Sequence, residues 1–90
     1  MSISRAERRA EREPRALREY GGQASAVLDL LELTELAWHD CYADITPPTD
    51  VIDDIFVAAQ GDLARFATAA RLAVQDFRDL RVTADDIRSR

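Results

Sequence analysis

The sequence predicts an all-α fold: a small antiparallel helical bundle of three main helices, with a short C-terminal helical turn and a mobile or helical Arg/Glu-rich N-terminal arm. Three observations predict it. Fifteen of the 90 residues are alanine, against three glycines and three prolines; alanine is the best helix former, glycine and proline the worst. Apolar residues recur at intervals of three and four along two long segments, the period of one helix face. The breaks fall at Gly21-Gly22, Pro47-Pro48 and Gly61, residues that stop helices. A chain this short allows one domain. It buries only about 60–65% of its unfolded surface, so the core is modest. Residues 14–90 read as a single helical domain behind a mobile charged arm at 1–13.

Each element has a local reason. In the arm, Ser4 and Glu7 have the spacing of a capping box. The only apolar positions after them are Ala6 and Ala10, too little to hold so short a helix. Pro14 then ends or restarts the chain direction, and a short helix runs to Tyr20. A long helix follows, about 23–44, with Val27, Leu30, Leu31, Thr34, Trp38, Cys41, Tyr42 and Ile45 on the face expected to be buried. Leu28, Leu33 and Leu36 fall off that face. "ITPPTD" stops it, with Thr46 or Thr49 as the next cap. A helix at about 50–60 turns Val51, Ile52, Ile55, Ala58 and Ala59 inwards and keeps Asp50, Asp53 and Asp54 in its first turns, where the helix dipole favours negative charge. Gly61 closes it and Asp62 caps a helix over about 63–80, buried through Leu63, Phe66, Ala67, Ala70, Ala73, Val74, Phe77 and Leu80. Thr83 and Asp86 then have the spacing of a cap for one last turn.

"ELAWHDCYAD", at 35–44, concentrates the only Trp, His and Cys of the chain. On a continuous helix His39 and Cys41 point about 200° apart and cannot share a metal. A zinc site would also need four ligands. Trp38, Cys41 and Tyr42 are expected to be packing residues, with Cys41 buried and inert. Glu32, Glu35 and His39 form a row on the other side. It has no second Glu/His element to complete a carboxylate–imidazole metal site, and reads as an exposed pair of helix neighbours. There is no phosphate-binding glycine loop and no serine elbow. No catalytic, cofactor-binding or metal-binding residue is expected.

Charge is segregated along the chain. Between Glu19 and Asp62 there are ten acidic residues and no basic one, and six Arg lie on each side of that stretch. All 12 basic residues are Arg and there is no Lys or Asn, a bias of GC-rich genomes that suggests a bacterial source. An acidic body repels nucleic acid and anionic membrane and attracts basic protein surfaces. A single Cys gives no internal disulfide, and no apolar run nears the roughly 18 residues of a membrane span. A cytoplasmic protein is expected.

The expected function is therefore a small non-enzymatic protein–protein interaction module with an acidic central body. Its candidate surface is Leu28, Leu33, Leu36, Asp50, Asp53 and Asp54. Its partner is a protein with a basic surface or a second copy of the chain as a homodimer, and no membrane. The alternative is a nucleic-acid-associated regulator contacting its target through the arm, with Arg5, Arg8, Arg9 and Arg12 as the contacts; the arm could equally lie across the acidic body of its own chain. The helices joined at Gly61 resemble a helix-turn-helix in outline. Only Arg65 and Thr68 could reach a base edge there, and Asp50, Asp53 and Asp54 would approach the phosphates.

Overall fold

A computed structural model describes residues 3–90, and among these the chain is all α-helical with no strand. Four helices carry the fold: α1 (Arg5–Tyr20), α2 (Ala24–Tyr42), α3 (Thr49–Ala59) and α4 (Leu63–Arg88), with a 3-10 turn at Gly21–Gln23 between α1 and α2. The main packing is α3 on α4, α1 on α2, and α2 on α4. No helix is long and apolar enough to cross a membrane among the described residues.

The start of α1 follows local chemistry. Ser4 Oγ accepts from the Glu7 N–H at 3.1 Å, and the Glu7 carboxylate accepts from the Ser4 N–H, completing the capping box. The rest departs from the sequence expectation. Residues 5–13 are not a separate arm: α1 runs through Pro14 to Tyr20 as one helix. (Residues 1 and 2 of the expected arm lie outside the described residues.) A proline inside a helix costs about 3 kcal/mol. Burial on both sides offsets that cost. Arg8 is buried before Pro14, and Ala16 and Tyr20 are buried after it. Ala6 and Ala10 are exposed; the buried anchor of this half is an arginine.

Phe66 meets Tyr20 and Phe56 edge-on at the centre, with ring centroids 5.6 and 5.1 Å apart, the arrangement favoured by the ring quadrupoles, and Tyr20 and Phe56 are tilted at 6.5 Å. Val27, Leu31, Ile55 and Leu80 complete the core. Each such side chain contributes about 1.5–3 kcal/mol relative to exposure.

The buried face of α2 is rotated from the expected one. Leu28 and Glu35 are buried with Val27, Leu31, Thr34 and Trp38, whereas Tyr42 and Ile45 are exposed and so is Cys41. The cause is α1, which covers the Leu28–Glu35 side. The last turn of α2 runs past the core and stops at Ala43, a non-glycine residue at φ 62°.

α3 begins at Pro48, whose carbonyl accepts from the Val51 and Ile52 N–H groups; neither Thr46 nor Thr49 caps it. Gln60 and Gly61 take positive φ at the turn into α4, and Asp62 caps α4 as expected, accepting from the Arg65 N–H at 2.8 Å.

The break in α4 also falls elsewhere than expected. No new helix starts at Thr83, whose hydroxyl instead donates back to the Asp79 carbonyl. The break is at Asp76, which has extended backbone (φ −161°, ψ 88°). Its carboxylate accepts from the Arg78 and Asp79 N–H groups at 3.2 Å, so Asp76 caps the second half of α4. In an unbroken helix the Arg78 N–H would bond the Val74 carbonyl. That carbonyl is satisfied by the Tyr42 hydroxyl at 2.9 Å, which ties the end of α2 to the break.

Because Arg8 is buried against Glu35, the N-terminal segment is expected to carry stability rather than be dispensable. Deleting residues 1–13 leaves Glu35 with neither of its arginines and should cost about 3–5 kcal/mol in urea denaturation, the penalty of stranding one member of a buried pair. An unchanged denaturation midpoint in the truncated chain would refute the docking of α1.

Candidate functional site

The sequence-predicted surface residues separate into two groups once folded. The charged ones are engaged inside the molecule. Glu35 is 2% exposed. It accepts from Arg8 Nε at 2.5 Å and Arg8 Nη2 at 3.2 Å, a two-pronged contact, and from Arg12 Nη1 at 3.0 Å. Arg12 also donates to the Thr46 hydroxyl, and Arg8 to the Ile3 carbonyl. Arg9 lies 2.9 Å from Asp29 and 3.2 Å from Glu32. Of the four candidate arm contacts, Arg8, Arg9 and Arg12 are thus occupied by α2. Arg5 is exposed and has no acidic partner among the ion pairs of the described residues.

The aspartates of α3 are consumed the same way. Asp54 is 1% exposed, and each of its oxygens is held by a different arginine of α4: Arg81 at 2.6 Å and Arg88 at 2.8 Å. Arg81 also holds Asp50, and Arg88 holds Asp53 and Asp85. Arg15 of α1 reaches Asp53, pairs with Glu19, and lies 4.5 Å above the Phe56 ring. Arginines from both flanks therefore pair with seven of the ten central acids, Glu19, Asp29, Glu32, Glu35, Asp50, Asp53 and Asp54. Asp54 is no surface residue, and Asp50 and Asp53 are already paired.

The electrostatics follow. Burial pushes the Glu35 carboxyl up, but the hydrogen bond from Arg8 and the charge of Arg12 outweigh it, and the group sits below its ordinary value. The hydrogen bond from Arg81 lowers Asp50. Burial raises Asp53, and the bonds from Arg15 and Arg88 override it, again leaving the group lowered.

The Glu32/Glu35/His39 row is not assembled. Glu35 faces Arg8, Glu32 faces Arg9, and His39 is exposed. Among the described residues no three potential ligands lie together to hold a metal. Cys41 is exposed, not buried, because the end of α2 projects beyond the core.

The apolar candidates behave differently. Leu28 is buried under α1, but Leu33 and Leu36 are 61% and 49% exposed. Leu33 continues a row with Ala26, Leu30 and Ala37, spaced four, three and four residues apart; the other three are half-buried. That spacing is the seam along which a helix packs on another helix. Asp29 and Glu32 border the row, and Arg9 contacts both.

What the sequence reading missed was the pair of buried carboxylates. The signal was present: Glu35 follows Leu28 by seven residues and Leu31 by four, and Asp54 follows Val51 by three and precedes Ala58 by four. A carboxylate interrupting an apolar row signals a buried ion pair. No protein-family model matches the chain, and no curated protein or solved structure is significantly similar to it.

Two outcomes are expected. Groups whose folded carboxyl is depressed add stability that is full above their ordinary values, 4.5 for Glu35 and 3.8 for Asp50 and Asp53. That stability is lost as pH falls through the lower folded values. The urea midpoint should therefore hold from neutral pH to about 5 and fall steeply below about 4; a flat profile to about pH 3 would contradict the pairing. Cys41 should react with a thiol reagent in the folded protein within about threefold of its rate in the unfolded chain, as an accessible thiol does. Protection of a hundredfold or so would return it to the core.

Proposed function

We propose that the chain is a non-enzymatic protein–protein interaction module of the cytoplasm, an antiparallel helical bundle whose contact surface is the outer face of α2. A second copy of the chain is the first occupant we assign to it. The observation that carries this reading is the exposure of Leu33 and Leu36, 61% and 49%, on the outer face of α2. Apolar surface left in the open on a small protein marks a contact site. Asp29, Glu32 and Asp40 would make two copies of α2 repel; Arg9 contacts Asp29 and Glu32 and offsets one of those charges in cis. Two-fold pairing is the commonest closed arrangement and would set the Ala26–Leu30–Leu33–Ala37 row against its own copy.

The reading as an acidic platform for a basic partner loses support, because Asp50, Asp53 and Asp54 are satisfied by Arg81, Arg88 and Arg15. Nucleic-acid contact through the N-terminal arginines loses support on the same ground, with only Arg5 of the four uncommitted.

Sedimentation across concentration tests the proposal. The wild-type chain should dimerise in the micromolar range. Leu33→Glu and Leu36→Glu should each raise the dissociation constant by at least about tenfold, the effect of roughly 1.4 kcal/mol at an interface. Because Arg9 offsets only one of the charges of Asp29, Glu32 and Asp40, each face stays negative, and added salt should tighten the dimer by screening the repulsion. A wild type that stays monomeric at high micromolar concentration overturns self-association. A dimer unmoved by both substitutions overturns the choice of face.

A further inference from the structure

At the break in α4 a cleft of about 460 Å³ lies between the end of α2, the start of α3 and the second half of α4. Three aromatic rings line it. Trp38 and Tyr42 have ring centroids 4.3 Å apart, tilted by 40°, and Phe77, the residue after the break, lies 5.8 Å from each. Its position depends on Asp76, since an unbroken helix would direct Phe77 elsewhere. The Tyr42 hydroxyl is committed to the Val74 carbonyl, which anchors one wall.

The polar groups of the cleft are unequal. Trp38 is 3% exposed, and its indole Nε1–H has no hydrogen-bond partner among the described residues. Buried donors are nearly always satisfied, and an unsatisfied one costs about 1–3 kcal/mol. The indole N–H only donates, so its partner must be an acceptor. At the rim, Arg81 is taken up by Asp50 and Asp54. Arg78 also lines the cleft, and its guanidinium has no carboxylate partner among the described residues, its one hydrogen bond running from its backbone to Asp76. Asp44 shares the rim and opposes an anion there.

We propose that this cleft binds a small planar aromatic molecule carrying a carboxylate. The ring lies among Trp38, Tyr42 and Phe77; the carboxylate accepts from Trp38 Nε1–H and from Arg78. Aromatic walls with a few convergent polar groups are the usual make-up of a small-molecule site, and Arg presents the fork that matches a carboxylate. The site is separate from the outer face of α2 and does not depend on it.

The chain has one tryptophan, so a ¹⁵N-labelled sample has a single indole N–H resonance. Titration with 2-naphthoate should shift it downfield and saturate, with a Kd of about 1 mM or tighter for a ligand of this size. 2-Naphthylmethylammonium should bind about tenfold more weakly, because both donors then lack an acceptor. Arg78→Ala should weaken naphthoate about tenfold and Asp44→Asn should tighten it, both at exposed positions where folding is unaffected. Trp38→Phe keeps a ring but removes the N–H, and should weaken binding about fivefold by calorimetry. The proposal is overturned by the absence of a saturable shift at about 10 mM naphthoate, by equal binding of the cation, or by an Arg78→Ala protein that binds as well as wild type.

Discussion

Glu35 is a carboxylate with almost no access to water, and the rest of the molecule is arranged around keeping it charged. An isolated ionised carboxyl in such a place would cost several kcal/mol. Arg8 and Arg12 of α1 remove that cost, and to do so they must be delivered by a helix lying along α2. The single contact therefore explains why α1 continues across Pro14, why Leu28 is covered, and why the buried face of α2 turns away from Cys41, Tyr42 and Ile45. Asp54 plays the same part for the other half: two arginines seven residues apart on α4 close on it, which fastens the segment beyond the Asp76 break onto α3.

Buried ion pairs are weak evidence for net stability, since apolar residues of the same volume often serve as well. Their use here is better understood as specification. A chain of 90 residues with 15 alanines has many helical faces that could pack tolerably in more than one register. A carboxylate that must meet a guanidinium admits few. The segregation of charge along the sequence, acidic in the middle and arginine-rich at both ends, then acts as a pairing rule: each end must fold back on the centre. Arg9, Arg15, Arg81 and Arg88 extend it to the half-exposed rim, where each pair contributes under about 1 kcal/mol.

Much of the fold was legible from residue order. The all-helical class, the breaks at Gly21-Gly22, the two prolines and Gly61, the cap at Asp62 and the inward face of α3 all follow from local chemistry and periodicity. The errors share one cause. Pro14 was read as an end or a restart because its local cost is real, while the contact that outweighs it joins Arg8 to Glu35, residues 27 apart in sequence. The face of α2 was computed from apolar residues alone, so a buried glutamate could not appear on it. The break at Asp76 was not foreseen, because nothing in its neighbours marks one; the Tyr42 hydroxyl that satisfies the freed carbonyl comes from another helix. Of the candidate surface, Leu33 and Leu36 are exposed as the periodicity implied, whereas Leu28, Asp54 and the arm arginines were misplaced by the same omission.

Neutralisation within the chain also changes what the surface can do. Read linearly, the sequence offers a strongly acidic body and a basic arm, two opposite invitations to partners. Folded, seven of the ten central acids are paired with arginines of the same chain, so the two regions no longer act as separate charged surfaces, although the net charge of −5 remains. Recognition is then left to short-range features. On one side is the outer face of α2, where Leu33 and Leu36 are exposed and Arg9 offsets part of the bordering acidic charge. On the other is the aromatic cleft at the helix break, with a buried indole donor and an uncommitted Arg78. Both rest on ion pairs within the chain: Arg9 reduces the repulsion of the first surface for a second acidic chain, and Arg81, held by Asp50 and Asp54, fixes the wall of the second. The charges that dominate the composition thus build the scaffold, and the few residues they leave unanswered are the ones available for binding.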